Sequence, residues 1–193
     1  MRFKKPKFWD YKKPNINSYL LWPISILIKL ISLFKIIITK KNFSSVKTIC
    51  IGNIYLGGTG KTSLSLKINK ILNEKKIKNC FIKKFYPDQM DEQNILEKNG
   101  KLFKNKKRLN SLLQADLEGY KVAIFDDGLQ DNSIDYNLRI VCFNNANWIG
   151  NGFTIPSGPL RENVENIKKY KNVLLNGNDE DLDEIKNFIS KID

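Results

Sequence analysis

The stretch GNIYLGGTGKTS, residues 52–63, is the feature that most constrains the fold of this chain. A β-rich apolar run at 46–54 leads into it, and a segment whose apolar residues have helical spacing follows it. Strand, glycine-rich loop and helix form the context in which a P-loop holds phosphates. Tyr55 stands where the usual pattern G-x-x-x-x-G-K-[ST] has its first glycine. We therefore predict a nucleotide site with an unusual loop.

The residue types in this loop suit phosphate binding. Glycines let the backbone approach phosphate oxygens closely, and the amides at the start of the next helix attract anions. We expect the Lys61 ammonium to reach the β- and γ-phosphates and the Thr62 hydroxyl to bind Mg²⁺. The alternative is a flexible glycine turn that happens to precede a lysine. The glycines concerned are Gly57, Gly58 and Gly60.

Further apolar runs predict the remainder of a sheet. The predicted strands lie at 80–85, 120–125, 138–143 and 172–176, and helices are expected at 107–118 and in the tail at 178–193. Strands that alternate with helices and end in loops are typical of α/β proteins. The predicted fold class is therefore α/β, with a P-loop NTPase-like, mostly parallel sheet and flanking helices.

The run AIFDDG, residues 123–128, has the form of a Walker B motif. In a parallel sheet, the carboxyl end of this strand faces the same crevice as the P-loop. Asp126 or Asp127 is expected to hold Mg²⁺ directly or through water. The alternative is an ordinary Asp-Gly turn.

Residues 1–45 are predicted to associate with a membrane. The apolar run at 19–38 has the length of a transmembrane span, but two lysines interrupt it. These lysines and two serines share one side of a helix, which fits a helix in the bilayer interface whose lysines reach anionic headgroups. A true span and a helix packed on a soluble core are the alternatives. The polar residues are Ser25, Lys29, Ser32 and Lys35, and the aromatic residues expected at headgroup level are Phe8, Trp9, Tyr19 and Trp22.

The composition restricts the possible chemistry. The chain contains no histidine, so an imidazole base or a histidine-bound metal is excluded within it. Carboxylates, lysines and hydroxyls remain, which favours Mg²⁺ and phosphate chemistry. The three widely spaced cysteines predict buried thiols in a reducing compartment rather than disulfides. They are Cys50, Cys80 and Cys142.

The formal net charge of +13 is concentrated near the N-terminus. Residues 1–47 contain 11 of the 33 basic residues but one of the 20 acidic residues. The remainder is nearly balanced, so a nucleic-acid partner, which the total charge alone suggests, is not expected. Basic residues beside an apolar helix fit an anionic membrane surface better.

Four stretches together resemble the tetraacyldisaccharide 4′-kinase family of lipid A biosynthesis. They are GNIYLGGTGKTS, FDDGLQ, WIGNGFTIPSGPLREN and LLNG, in this order. The resemblance covers nearly the whole chain. It implies an ATP- and Mg²⁺-dependent kinase at the cytoplasmic face of the inner membrane of a Gram-negative bacterium. Such a kinase moves the γ-phosphate of ATP to the 4′-hydroxyl of a lipid A disaccharide precursor, tetraacyldisaccharide 1-phosphate, to give lipid IVA for lipopolysaccharide.

The resemblance also implies roles for individual residues. Arg161, in the PSGPLRE loop, is expected to line the active-site crevice with Gln130 and to steady phosphate charge during catalysis, as Lys61 does. The alternative for Arg161 is a structural arginine paired with Glu162. The implied nucleotide-binding residues are Gly57, Gly58, Thr59, Gly60, Lys61, Thr62, Ser63 and Gln130. The implied metal ligands are Thr62, Asp126 and Asp127.

The general base is implied by a GDEP-like segment of the family, whose aspartate is the candidate. The stretch MDEQNIL at 90–96 resembles it, so Asp91 is the expected base, with Glu92 beside it. The alternative is that both carboxylates form the solvated first turn of a helix.

Three departures from the family pattern matter. The stretch IKKFYPDQ at 82–89 replaces an SRGYGG-like stretch, and Asp131 stands where the family has a histidine. Family members also continue into a second α/β lobe that carries a histidine motif. We therefore expect residues 46–193 to correspond to the N-terminal P-loop lobe, with the C-terminal lobe absent. A membrane-bound nucleotide switch without an acceptor, and an inactive fragment, remain alternative hypotheses.

Overall fold

The computed structural model describes residues 5–87, 90–177, 187 and 190. Most of the predicted tail helix lies outside these described residues. The chain divides into two compact units. Unit 1 comprises the described parts of 1–38, 53–59 and 141–193, and unit 2 those of 39–52 and 60–140. The division into a membrane-associating segment at 1–45 and a kinase lobe at 46–193 stays a prediction.

The described residues form four α-helices and a six-stranded sheet, with strand order β3-β2-β4-β1-β5-β6. The helices are α1 Ile16–Ile38, α2 Lys61–Glu74, α3 Met90–Asn99 and α4 Arg108–Leu117. The strands are β1 Lys47–Gly52, β2 Asn79–Lys84, β3 Leu102–Asn105, β4 Val122–Asp126, β5 Leu138–Asn144 and β6 Asn172–Asn176. Strands β1 to β4 pair in parallel. The predicted α/β fold with flanking helices is confirmed.

Each run predicted as a strand forms one, whereas β3 was not predicted and α3 was considered only as the alternative for Asp91 and Glu92. Both lie in a polar, lysine-rich part of the chain. Strand β3 has four residues and lies at the edge of the sheet, and α3 buries only Gln93 and Leu96. Elements that bury so little carry a weak hydrophobic pattern, so periodicity alone did not predict them.

The core of unit 2 lies along the central strands. Phe81, Ile82, Ile124 and Phe125 are fully buried, and Cys50 on β1 lies opposite Phe125 on β4. Since these strands are parallel, their carboxyl ends share one edge of the sheet, where ligands of such folds bind. All three cysteines are free and buried, which confirms the predicted thiols.

In unit 1, helix α1 buries two of its serines and exposes most of its apolar residues. Only Ser18 and Ser25 are buried along its described length. The Ser25 hydroxyl lies 2.8 Å from the Ser157 hydroxyl and donates to the Thr154 carbonyl at 3.0 Å. By length and composition alone, the helix could cross a membrane. The buried contacts of this helix lie on its serine side, so its apolar side is the exposed one.

The described segment before α1 packs within unit 1. A short 3-10 helix spans Lys7–Asp10, and Trp9 is 1% exposed. The Trp9 indole donates to the Pro156 carbonyl at 2.9 Å, and the Trp9 carbonyl accepts from the Asn151 amide at 3.1 Å. The expectation that Trp9 lies at headgroup level is therefore wrong for this structure. Trp22, by contrast, is 52% exposed.

Candidate functional site

The first half of the glycine loop, residues 53–59, is shaped in unit 1 by a side chain of its own motif. The buried Asn53 amide donates to the carbonyls of Tyr55 at 2.5 Å and Gly57 at 3.0 Å. Gly57 and Gly58 are exposed, and a Cβ added at Gly58 would meet no described atom within 4 Å. Packing does not require glycine at position 58, so close approach by a ligand is the better reason for it.

Tyr55, which replaces the usual first glycine, is 2% exposed. Its hydroxyl accepts from the Lys5 ammonium at 2.6 Å and donates to the Asp10 carboxylate at 2.7 Å. Lys5 and Asp10 also form an ion pair. Burial raises the pKa of Tyr55, Lys5 opposes this effect and Asp10 adds to it, with a net upward shift. The loop is thus fastened to the N-terminal segment within unit 1.

The PSGPLRE loop lies beside the residues that precede the glycines. The Arg161 amide donates to the Ile54 carbonyl at 2.7 Å, and the Leu56 amide donates to the Pro159 carbonyl at 2.9 Å. Two of the predicted motifs are therefore in contact in unit 1. The Arg161 side chain is half-buried, and its role in steadying phosphate charge stays a prediction. The carboxylate of Glu162 accepts from Asn166 and Tyr170, each at 3.0 Å.

In unit 2, helix α2 begins directly after Gly60, whose φ of 79° lies in the left-handed region that favours glycine. Lys61 and Thr62 occupy the first turn, where backbone amides point outward and attract anions. The two side chains are half-buried, and Ser63 is exposed. The second half of the glycine loop therefore has the backbone arrangement that the phosphate prediction requires.

Strand β4 ends at Asp126, which is fully buried. One carboxylate oxygen, Oδ2, lies 3.4 Å from the Thr62 hydroxyl and 2.6 Å from the Lys83 ammonium. The other oxygen, Oδ1, has no hydrogen-bond partner within the described chain. The structure thus brings together Thr62 and Asp126, two predicted metal ligands from different motifs.

Asp127 is held differently from Asp126. Its φ of 63° is unusual for a residue other than glycine. Its amide donates to the Ile51 carbonyl at 2.8 Å, and its carbonyl accepts from the buried Arg108 guanidinium. Arg108 also approaches the Asp131 carboxylate at 3.4 Å. Arg108 and Asp131 therefore fix the DDGLQD loop, a role that the sequence did not predict.

The predicted base, Asp91, is exposed in the first turn of α3. Its neighbour Glu92 turns toward β2, where a carboxylate oxygen lies 2.5 Å from the Lys83 ammonium. The assignment of Asp91 stays a prediction, and the first-turn position fits its alternative equally well. Gln130 is exposed after the DDG turn, and its role also stays a prediction.

Lys83 is the residue at this site that the sequence did not reveal. It is 1% exposed and lies between Glu92 and Asp126. Burial alone would lower the pKa of Lys83, but Asp126 and Glu92 outweigh it, so the net shift is upward. The available signal was a lysine near the end of a predicted buried strand, where buried charges need a partner.

The oxygens of Thr62 and Asp126 fit a Mg²⁺ ion in chemical type. Mg²⁺ prefers oxygen ligands and often binds one or two carboxylates together with substrate phosphates. A buried carboxylate oxygen without a partner, next to a P-loop hydroxyl, matches this requirement. Within the described residues, no group of three or more histidine, cysteine, aspartate or glutamate side chains forms a metal cluster.

The chain also matches known proteins in sequence and in fold. Residues 17–105 and 91–191 match the family model described as LpxK, tetraacyldisaccharide-1-P 4′-kinase. A tetraacyldisaccharide 4′-kinase of Pelagibacter ubique (strain HTCC1062) is 61% identical over 194 residues, which cover 100% of this chain and 61% of the relative. The enzyme of that name from Rickettsia conorii is 33% identical over 175 residues, with coverage of 81% and 53%. The chain thus spans less than two thirds of these relatives.

A solved structure shares the fold. It is LpxK from Aquifex aeolicus, crystallised in complex with ATP, and it matches with a TM-score of 0.70 and 22% sequence identity. The match covers 82% of this chain and 58% of that protein. At 22% sequence identity, the match shows similarity of fold alone.

Proposed function

This chain belongs to the tetraacyldisaccharide-1-P 4′-kinase family, and on that premise we propose that it supplies the P-loop part of an ATP-dependent lipid kinase. The reaction transfers the γ-phosphate of ATP to the 4′-hydroxyl of tetraacyldisaccharide 1-phosphate. The single observation that carries this proposal is the meeting of the Thr62 hydroxyl and the Asp126 carboxylate beside the start of α2. This pairing joins the two motifs that a P-loop kinase needs.

The proposed ATP site uses the backbone of residues 57–60 and the first turn of α2. The amides there receive phosphate oxygens, and the Lys61 ammonium neutralises charge on the β- and γ-phosphates. Thr62 and Asp126 supply oxygens for a Mg²⁺ ion, which when bound neutralises phosphate charge and orients the γ-phosphate. Asp127 is proposed to assist this metal site.

The proposed transfer forms one bond and breaks one. The 4′-hydroxyl oxygen attacks the γ-phosphorus, the bond to the β–γ bridging oxygen breaks, and ADP leaves. The hydroxyl proton passes to a carboxylate, for which Asp91 is the proposed acceptor. Arg161 is proposed to steady the charge on the phosphoryl group with bidentate hydrogen bonds.

The proposed acceptor is carried by a lipid, and α1 provides an apolar surface suited to that substrate. Large apolar side chains along its length are exposed, including Leu20, Leu27 and Phe34. A surface of this kind inserts into the headgroup and acyl boundary of a bilayer, and nearby lysines add attraction to anionic lipids. The proposed location is the cytoplasmic face of the inner membrane, with no nucleic-acid partner.

Phosphoryl transfer to the lipid tests this function. The chain is incubated with Mg²⁺, γ-labelled ATP and tetraacyldisaccharide 1-phosphate in detergent micelles, and labelled lipid is measured. Lys61→Ala is expected to lower the rate by at least about 100-fold, because the phosphate charge loses its fixed cation. Lys67→Ala, an exposed lysine further along α2, serves as the matched control and should retain activity.

Two outcomes would contradict the proposal. ATP hydrolysis without labelled lipid would exclude this acceptor for the chain and favour a nucleotide switch. Failure to bind Mg²⁺ and ATP at all would exclude the nucleotide site itself.

A further inference from the structure

Lys83, Glu92 and Asp126, which we call the Lys83 triad, join three elements of unit 2. Lys83 lies on β2, Asp126 ends β4, and Glu92 lies in the first turn of α3. The Lys83 ammonium lies 2.5 Å from a Glu92 oxygen and 2.6 Å from Asp126 Oδ2. The register that pairs Ile82 with Phe125 brings the next residues of β2 and β4 side by side.

The two arms of the triad differ in exposure. The side chains of Lys83 and Asp126 are 2% and 0% exposed, whereas Glu92 is 50% exposed. A buried carboxylate without a counter-charge is strongly disfavoured, so Asp126 needs a cation near it. Lys83 supplies that cation from the protein itself.

The triad engages only one oxygen of Asp126. Lys83 and Thr62 both lie on the side of Oδ2, and Oδ1 has no partner within the described chain. The carboxylate is therefore neutralised and oriented while one oxygen stays available.

We propose that the Lys83 ammonium is an internal counter-ion of Asp126 that makes binding of a divalent cation depend on nucleotide. Lys83 neutralises the charge of Asp126 in the nucleotide-free chain, so a divalent cation alone binds only weakly there. When ATP arrives, its phosphates add negative charge and further oxygen ligands, and the metal can bind beside the ammonium. This inference rests on the proposed function, since Asp126 acts as a metal ligand only there.

The position of the ammonium gives the proposal a sharp test. Two carboxylate oxygens converge on it at distances slightly longer than typical Mg²⁺–oxygen bonds of about 2.1 Å. Lys83→Ala removes the charge and opens space between Glu92 and Asp126. The variant should therefore gain a site for a divalent cation that needs no nucleotide.

The experiment measures the thermal unfolding midpoint of the full chain against Mg²⁺ or Mn²⁺ concentration, without nucleotide. Neither metal should raise the unfolding midpoint of wild type, whereas both should raise that of Lys83→Ala. The apparent affinity of the variant for the metal should be at least about tenfold higher than that of wild type. Lys83→Arg keeps the charge and should behave like wild type. Lys84→Ala is the matched control, because this neighbouring lysine contacts the Tyr86 ring instead.

Each result decides the proposal. Metal protection that is equal in wild type and Lys83→Ala would overturn it, as would protection of Lys84→Ala to the same extent. If Lys83→Ala does not fold even with metal, Glu92→Gln gives the answer. Loss of the Glu92 charge leaves the ammonium wholly to Asp126, so binding of a fluorescent ATP analogue should require about threefold more Mg²⁺. An unchanged Mg²⁺ requirement would overturn the proposal.

A different result would contradict the proposed function. A wild-type chain that binds no ATP in the presence of Mg²⁺ contradicts the kinase assignment. The metal response of Lys83→Ala is measured without nucleotide and still decides the role of Lys83.

Discussion

At the scale of single residues, Tyr55 illustrates why the glycine loop departs from the usual pattern. A glycine at this position would leave Lys5 and Asp10 without the hydroxyl that both contact. The phenol instead fills a buried site and joins the N-terminal segment to the loop. The family-like glycines at positions 57 and 58 remain exposed for ligand approach. Packing and phosphate binding are thus divided between neighbouring residues.

Tyr55→Phe is expected to lower the free energy of unfolding by about 1–2 kcal/mol, because it removes a hydroxyl with two charged partners. Urea denaturation at neutral pH measures this change. Tyr11→Phe, at a tyrosine that is 50% exposed, should change stability by less than about 0.5 kcal/mol. Equal effects of the two substitutions would contradict the role given to Tyr55.

The same variant has a predicted pH dependence. Burial raises the pKa of Tyr55 above its ordinary value of 10.0, and the pKa of Lys5 is also raised, because Asp10 and Tyr55 outweigh its burial. A group whose pKa is higher in the folded chain contributes stability below its unfolded pKa and loses it as the pH rises through the folded value. The stability difference between wild type and Tyr55→Phe should therefore shrink above about pH 10. A constant difference would contradict this assignment.

The burial of Lys83 could not be predicted from the sequence around it. Lys83 and Lys84 are adjacent and chemically identical, yet Lys83 is buried and Lys84 is half-buried. Strand alternation explains why they differ, but only the pairing of β2 with β4 shows that one lies against Asp126. Thr62 and Asp126, in contrast, were predictable because their motifs fix their positions after particular elements.

At the scale of elements, α1 shows a similar limit. Its periodicity predicted a helix with a polar stripe, and the helix is present. The pattern did not reveal that Ser25 of this stripe faces the protein, because a polar side chain can be turned to water or to hydrogen-bonding groups of the same chain. Here Thr154 and Ser157 supply those groups for Ser25.

Ser25→Ala is expected to reduce the free energy of unfolding by about 1–3 kcal/mol, because the buried Ser157 loses the hydroxyl that its own hydroxyl and backbone amide contact. Ser32→Ala, one heptad further along α1, alters an exposed serine and is the matched control. Chemical denaturation of both variants measures the effect. Similar stability of the two would show that the serine contacts are not stabilising.

At the scale of the whole molecule, the exposed side of α1 forms a long apolar surface. A soluble chain rarely exposes a contiguous patch of this size without a binding partner. The sequence predicted the membrane association that we propose, while the structure adds which side is turned outward.

Leu27→Gln combined with Ile31→Gln should weaken binding to vesicles that contain anionic lipids by at least about tenfold, with little change in stability. Both residues are more than half exposed on α1. Leu113→Gln combined with Leu117→Gln makes the same change on α4, at exposed positions with the same spacing, and should leave binding intact. Vesicle sedimentation measures the difference, and equal loss in both variants would contradict a specific role for α1.

The opposite environments of two tryptophans give the protein built-in optical reporters. Trp9 lies inside unit 1, where its indole donates to Pro156, so its emission should be that of an apolar interior until this unit unfolds. Trp22 lies on the outward side of α1, so its emission should follow the polarity of whatever surrounds that helix. Trp148 also emits, so the contribution of Trp9 or Trp22 is the difference between the wild-type spectrum and that of the variant with phenylalanine at that position. The Trp22 difference then reports lipid contact, and the Trp9 difference reports loss of structure.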